Sequence, residues 1–306
     1  MLQKIYLAAF CLMLIPLKGF ALEPSEKLIF EKNSLYQYIQ VIEDTVKKER
    51  YVRNQKREFT QGGIYLNAPD KLRFEFTQLL FVSLAFLDGD PKDVLFVGLG
   101  AGAMPKYFTV RYPDAVIDIA EIDHDMVDVA QKYFYFRENE RMNVHVEDGR
   151  LFVKRTKKKY DWIILDAYHN DYIPFHLTTL EFLKEVKSRL KENGVVAANI
   201  TSPYKNKFFD SMVMTYKKAF PHLAIFKGKK SGNFIFVATT DSKIRDKDSV
   251  EARARKIQSA RKFDIDLADF ASRYEPSEVY EWGGAKIITD DFAPVNLYQY
   301  QRSEAP

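Results

Sequence analysis

Leu223-Ala-Ile-Phe-Lys-Gly228-Lys-Lys-Ser-Gly232-Asn-Phe-Ile-Phe-Val-Ala-Thr239 contains two apolar runs, Leu223–Phe226 and Phe234–Thr239, joined by the turn Gly228-Lys-Lys-Ser-Gly232. The runs are short and rich in β-branched and aromatic residues, so together they read as a hairpin. Upstream the chain has a different rhythm. From Asp93 to about residue 220, strand signals at Val94–Val97, Val116–Ala120, Val144–Val146, Trp162–Leu165 and Val195–Ile200 alternate with helical stretches, including Asp125–Phe134 and Thr179–Leu190. Such alternation means a parallel sheet wrapped by helices, with right-handed connections. The hairpin adds an antiparallel strand at the end of that sheet, because no helix lies between its two runs.

That ending separates the α/β folds. A nicotinamide-type Rossmann domain would continue with another helical crossover. Five βα units followed by a terminal hairpin resemble instead the class I S-adenosylmethionine (SAM) methyltransferase fold, a Rossmann-like seven-stranded sheet. Ahead of it, Leu35–Asp44 and Lys56–Leu66 predict the hairpin strands of a small N-terminal β-element, which divides the chain at 22–70 and 71–306. Leu72–Leu87 predicts a helix burying Leu72, Phe76, Leu79, Leu80 and Leu87, interrupted by Ser83 and ended by Asp88-Gly-Asp-Pro91. Lys247–Phe263 predicts a further helix and Ile287–Tyr298 a closing segment.

The chain has 306 residues, 46% hydrophobic and 29% charged, the balance of a globular protein rather than a disordered or multi-span one. A net charge of +4 is too even to imply nucleic acid or an anionic membrane as partner. The single cysteine, Cys11, excludes disulfide scaffolds and cysteine zinc sites. His124, His145 and His222 show no metal-ligand spacing, so no metal is expected. The first 21 residues read as a Sec-type signal peptide: Lys4, the apolar run Ile5–Leu17, then Gly19-Phe-Ala21 as the cleavage site. A run of thirteen residues spans roughly 20 Å against a bilayer core of roughly 30 Å, too short for a stable span. Export to the periplasm or beyond is the expectation, with a membrane-tethered chain as the alternative.

Chemistry concentrates where strands end. Val94-Leu-Phe-Val-Gly98-Leu-Gly100-Ala-Gly102 runs an apolar strand into a glycine turn before a helix, where backbone can approach a ligand and helix N–H groups are free. A tight turn with no ligand has the same look. Glu121 ends the second strand about twenty residues on, the place of an acid that accepts both ribose hydroxyls of a nucleoside. Asp148-Gly149 follows the third strand, where the acid can accept from an adenine amino group, cap the next helix, or do both. Asp166 ends the fourth strand at the switch point of the sheet and is the best candidate for a catalytic carboxylate, with a structural carboxylate as the alternative. His176 reads as a loop-packing residue, with contact to substrate as the alternative, and the basic stretches Lys154–Lys159 and Arg253–Lys262 as solvated faces.

These residues, with Tyr36-Gln37-Tyr-Ile39-Gln-Val41, Glu121-Ile-Asp123, Glu147-Asp148-Gly149, Ile173-Pro-Phe-His-Leu-Thr-Thr179 and Thr289-Asp290-Asp291-Phe-Ala-Pro294, make the chain resemble the spermidine synthase family of polyamine aminopropyltransferases. The likeness is stronger to spermidine-synthase-like proteins of SAM-methyltransferase fold. The resemblance implies that Glu121 holds ribose, Asp148 adenine, and that Asp166 assists amine attack. Gln37, Tyr168 and His169 are further candidates for substrate binding, and Asp290, with Asp291, reads either as an acidic lip over the crevice that contacts substrate or as a turn cap. Two positions depart from the family pattern. Ala101 stands where synthases carry an acid for the donor's ammonium, and His169 where they carry a second acid for the diamine.

The sequence therefore predicts a transferase that uses a sulfonium nucleoside, SAM or its decarboxylated form, as donor substrate, without a metal. Ala101 and His169 tilt the expectation to methyl transfer. Aminopropyl transfer is the close alternative, and an exported, non-catalytic nucleoside- or polyamine-binding protein a third. The expected partner is a small-molecule acceptor, with a polyamine as one candidate; a homodimer stays open.

Overall fold

The computed structural model describes residues 22–53, 60–167, 173–241, 245–280 and 284–292. The predicted signal segment, Tyr168 and His169 lie outside them, as does the second half of the predicted closing segment. Four strands come first: β1 (Glu26–Asn33), β2 (Tyr38–Asp44), β3 (Glu49–Arg53) and β4 (Thr60–Tyr65), paired in chain order as an antiparallel sheet. The sequence predicts only two strands here. It misses β1 and β3 because charged residues flank or interrupt their short apolar runs, Leu28-Ile-Phe30 and Tyr51-Val52. Ile39, Val41, Val52 and Ile64 form the apolar face of this sheet, and they bury against Ala101, Met126, Val129 and Phe134 of the larger unit.

The predicted helix at 72–87 is two pieces. Helix α1 (Glu75–Leu79) passes directly into a 3-10 helix at Leu80–Phe86, whose seven residues are all buried. The predicted stripe of leucines is buried as expected, but a segment enclosed on every side has no solvent face, and Phe76 is only partly covered. Ser83, which breaks the stripe, accepts a hydrogen bond from the Trp162 indole at 2.9 Å and so satisfies a buried donor.

The remaining elements are β5 (Asp93–Val97), α2 (Ala103–Arg111), β6 (Val116–Glu121), α3 (His124–Tyr133), β7 (Met142–Val146), α4 (Gly149–Arg155), β8 (Tyr160–Leu165), α5 (Leu180–Ser188), β9 (Leu190–Thr201), α6 (Phe209–Ala219), β10 (His222–Lys227), β11 (Asn233–Thr239), α7 (Lys247–Ala260), α8 (Leu267–Ser272) and β12 (Tyr274–Pro276). The large sheet has the order β12-β10-β11-β9-β8-β5-β6-β7. Strands β9, β8, β5, β6 and β7 are parallel, while β11 runs antiparallel to β9 and pairs with β10 as the predicted hairpin. The three-residue β12 adds an eighth strand to the seven expected, against Ala224–Phe226 of β10. It is too short to leave a periodic signal.

Both faces of the sheet are buried, as a parallel sheet between helices requires. Val94 and Phe96 of β5 belong to one core with Trp162 and Phe108, while Leu95 and Val97 belong to the other with Ile163, Leu183 and Val196. The order of β5 between β6 and β8 puts the switch point at the carboxyl end of β5, and there the chain leaves a crevice. Among the described residues no helix is long and apolar enough to cross a membrane.

Two contacts fix what closes over that crevice. Gly62 of β4 lies so close to the glycine turn that a Cβ there would sit 2.9 Å from the Ala101 Cβ and 3.0 Å from its backbone nitrogen. Neither atom can swing away. Gly62→Ala is expected to push β4 off the turn and cost about 1–3 kcal/mol, read as a lower denaturation midpoint. Glu75 of α1 reaches the other rim. Its carboxylate accepts the backbone N–H groups of Lys229 (3.2 Å), Lys230 (2.5 Å) and Ser231 (2.8 Å), and Arg273 pairs with it at 2.7 Å. The tip of the β10–β11 hairpin is thereby clasped to α1.

Candidate active site

A cavity of about 630 Å³ lies at the carboxyl ends of β5, β6, β8 and β9, a volume suited to a nucleoside and a second small molecule. Gln37, Gly98, Gly100, Glu121, Asp148, Gly149 and Asp166 all line it. Seven of the residues singled out in the sequence thus share one space. Gly102 and Asp290 are not among its lining residues.

The turn after β5 works through backbone. Gly98 has φ of +101°, and a Cβ on it would meet the Asp166 carbonyl oxygen at 2.4 Å. Only glycine lets the ends of β5 and β8 close to that distance. The Glu121 carboxylate lies beneath the turn, accepting the N–H of Leu99 through Oε2 and of Asp123 through Oε1, both at 2.9 Å. These amides orient it without exhausting its lone pairs, so it can still accept from a ligand. Burial nevertheless pushes the Glu121 carboxyl above its ordinary value. Asp123, two residues on, has other work. It caps α3 through the Asp125 N–H and accepts the Ser34 hydroxyl at 2.6 Å, fastening the β1–β2 connection to the site. Gln37 on that connection accepts from Gln61 Nε2 at 2.7 Å.

Asp148 combines its two anticipated roles only in part. One oxygen, Oδ1, accepts the N–H groups of Arg150 and Leu151 and so caps α4. The other lies 2.9 Å from His176 Nε2. The His176 ring holds the Asp148 carboxyl below its ordinary value. His176 therefore lines the cavity as a partner of Asp148, the position that the alternative reading of this residue requires. Asp290 is engaged by Arg150. Its carboxylate takes both terminal nitrogens of Arg150, at 2.8 and 2.7 Å, a bidentate pair that consumes its acceptors away from the cavity. Arg150 also reaches Glu185 and the His176 carbonyl, so Asp290 serves the brace behind the site.

Asp166 lies half-buried at the end of β8. Burial pushes its carboxyl up to about 7, against the bond from Asn199 that favours its charge. Asn199 Nδ2 donates to Asp166 Oδ1 at 2.9 Å, and Asn233 Nδ2 donates to Asn199 Oδ1 at 2.8 Å. The sequence reading passes over both asparagines. Asn199 sits near the carboxyl end of the fifth predicted strand, so the rule that singles out Glu121 and Asp166 points to it too. Glu121, buried, and Asp166, half-buried, are two carboxylates whose charged forms are raised in energy, and they make a cavity that gains by taking up a cation.

Among the described residues, one group could hold a metal by proximity: His124, Asp125 and Asp128 at the start of α3. None lines the cavity, and Asp125 is already paired with Lys32 at 2.7 Å.

Comparison with known proteins gives the family and the fold. Residues 74–227 match the spermine/spermidine synthase domain. The polyamine aminopropyltransferase of Vibrio vulnificus is 33% identical over 295 residues, 94% of this chain and 96% of that protein. The chain belongs to the spermine/spermidine synthase family. This is a family of transferases, and the chain is an enzyme of that class. In fold it is similar to the spermidine synthase of Thermotoga maritima, with a TM-score of 0.65 and 22% identity over 83% of this chain and 86% of that one. It is also similar to human methyltransferase-like protein 13 solved with SAH, with a TM-score of 0.58 and 25% identity over 63% of this chain and 95% of that one. The matched span includes Phe74, Phe76, Gly98, Glu121, Asp148 and Asp166 of the cavity lining, while Gln37, Gly62 and Asn233 lie outside it. The weight of the family membership is on aminopropyl rather than methyl transfer, against the tilt that Ala101 and His169 give to the sequence.

Proposed function

We propose that this chain transfers the aminopropyl group of decarboxylated SAM to a small amine, a polyamine precursor being the first candidate. The observation that carries the reading is Asp166, a half-buried carboxylate at the switch point, facing the same cavity as Glu121 and Asp148. In this reading Glu121 accepts the ribose hydroxyls and Asp148 the adenine amino group. The acceptor's neutral nitrogen attacks the methylene carbon beside the sulfonium. The new C–N bond forms as the C–S bond breaks, its electron pair remains on sulfur as a neutral thioether, and Asp166 takes the proton shed by the nitrogen. Positioning and desolvation supply most of the acceleration, because the sulfonium is already a good leaving group.

Methyl transfer from SAM is the second reading, favoured by Ala101, which lines the cavity without a charge. Incubating the protein with putrescine and either donor separates the two. Methylthioadenosine and spermidine, formed only from decarboxylated SAM, are the expected products. SAH and a methylated amine, formed from SAM, would establish the second reading. Calorimetric binding of either donor with no product would leave a nucleoside-binding protein.

A further inference from the structure

We infer that Asn233 and Asn199 are positioning residues for Asp166: the Asn233 amide locks the Asn199 amide with its NH₂ group toward the carboxylate, which occupies Oδ1 and leaves Oδ2 to receive the amine's proton. The inference rests on the reading of Asp166 as the amine-facing group. Its geometric basis is the run of two bonds, Asn233 Nδ2 to Asn199 Oδ1 at 2.8 Å and Asn199 Nδ2 to Asp166 Oδ1 at 2.9 Å. An amide has its acceptor and its donors on opposite arms. Turning Asn199 over would set its NH₂ against the NH₂ of Asn233 and its carbonyl oxygen against a carboxylate. Both contacts are repulsive, so the two neighbours agree on one orientation.

The first member of this chain is itself held. Asn233 opens β11, opposite Thr201 of β9, and its carbonyl accepts the Gly228 N–H at 2.7 Å across the hairpin turn. That turn is the one clasped by Glu75. Asn233, Asn199 and Asp166 all line the cavity. The other titratable side chains lining it are Tyr36 from the β1–β2 connection, Glu121 after β6, Asp148 before α4, His176 on the segment before α5, and Lys205 beyond β9. Of the contacts that tune Asp166, burial raises its carboxyl and the Asn199 bond lowers it. Losing or reversing that bond must therefore raise it further.

The test follows the Asp166 carboxyl by carbon NMR through a pH titration of the full chain, together with the acid limb of kcat/KM. Asn233→Asp offers Asn199 only acceptors, turning its amide so that the carbonyl faces Asp166. Asn199→Leu removes the donor outright. Each is expected to move the Asp166 titration upward by about one pH unit, with a roughly tenfold loss of kcat/KM on the acid side. In the Asn199→Leu background, Asn233→Asp should add little, because the relay is already cut. A full shift from Asn233→Asp in that background would overturn the inference and assign the effect to the new charge acting through space. Asn233→Ala, which adds no charge, should give a smaller shift in the same direction if Asn233→Asp fails to fold. An unshifted titration in Asn233→Ala would then overturn the relay. The NMR reading needs no turnover. An unmoved Asp166 in an active aminopropyltransferase sinks the relay alone. A shifted Asp166 in a protein that transfers nothing supports the relay and sinks the proposed reaction.

Discussion

Asp166→Asn is expected to lower turnover by about 10²–10³-fold while leaving donor affinity within a factor of two or so. The asparagine keeps the shape of the side chain and can still accept from Asn199, but it cannot take a proton from the attacking nitrogen. The wild-type rate should rise with pH through about 7 as the carboxyl ionises, and the variant should lose that limb. Stability should move the opposite way to activity. A carboxyl raised from an ordinary value of 3.8 to about 7 holds its proton longer in the folded chain than in the unfolded one. Between those values the folded state binds more protons, so wild-type stability falls as pH rises through the window and is level above it. The variant escapes this loss. At pH 8 it should melt roughly 2–6 °C above wild type, corresponding to about 1–2 kcal/mol, and at pH 4 the two should melt alike. Equal turnover in both proteins, with an acceptor that wild type uses, would reduce Asp166 to a structural residue.

Glu121→Ala carries the second large effect, expected on binding and on stability together. Hydrogen bonds to a charged acceptor contribute roughly 1.5–3 kcal/mol, so calorimetry should show donor affinity weakened by about tenfold to a hundredfold. The same carboxylate satisfies the Leu99 and Asp123 amides, which an alanine leaves without their acceptor. Unmet buried donors cost about 1–3 kcal/mol, and the loss should appear in chemical denaturation without ligand. Unchanged affinity in a variant that is measurably less stable would show Glu121 to be a scaffold for the glycine turn and nothing more.

What the sequence discloses about this molecule follows the reach of its signals. Parallel strands buried on both faces announce themselves as apolar runs, so β5, β6, β8 and the β10–β11 hairpin are legible, and so are the acids that stand at strand ends. Charged strands such as β3, and three-residue strands such as β12, carry no usable period. Partnership over distance is hidden as well. Nothing local to Asp290 tells that Arg150, 140 positions earlier in the chain, takes both its oxygens. His176 likewise gives no local sign of Asp148. Neutral amides are quieter still: Asn199 is marked only by its place near a strand end, Asn233 by nothing local, and their partnership acquires meaning only when β9 and β11 lie side by side.

The clasp between Glu75 and the hairpin tip has a consequence for biosynthesis. A cavity whose walls come from positions as far apart as Tyr36 and Asn233 does not exist on a ribosome-bound chain until the hairpin has emerged and met α1. A strand crossing a membrane unfolded carries no such cavity and no cargo within it. Any nucleoside that remains with the purified protein was therefore captured after folding finished. Extracting and identifying that passenger would report a ligand that the finished cavity selects.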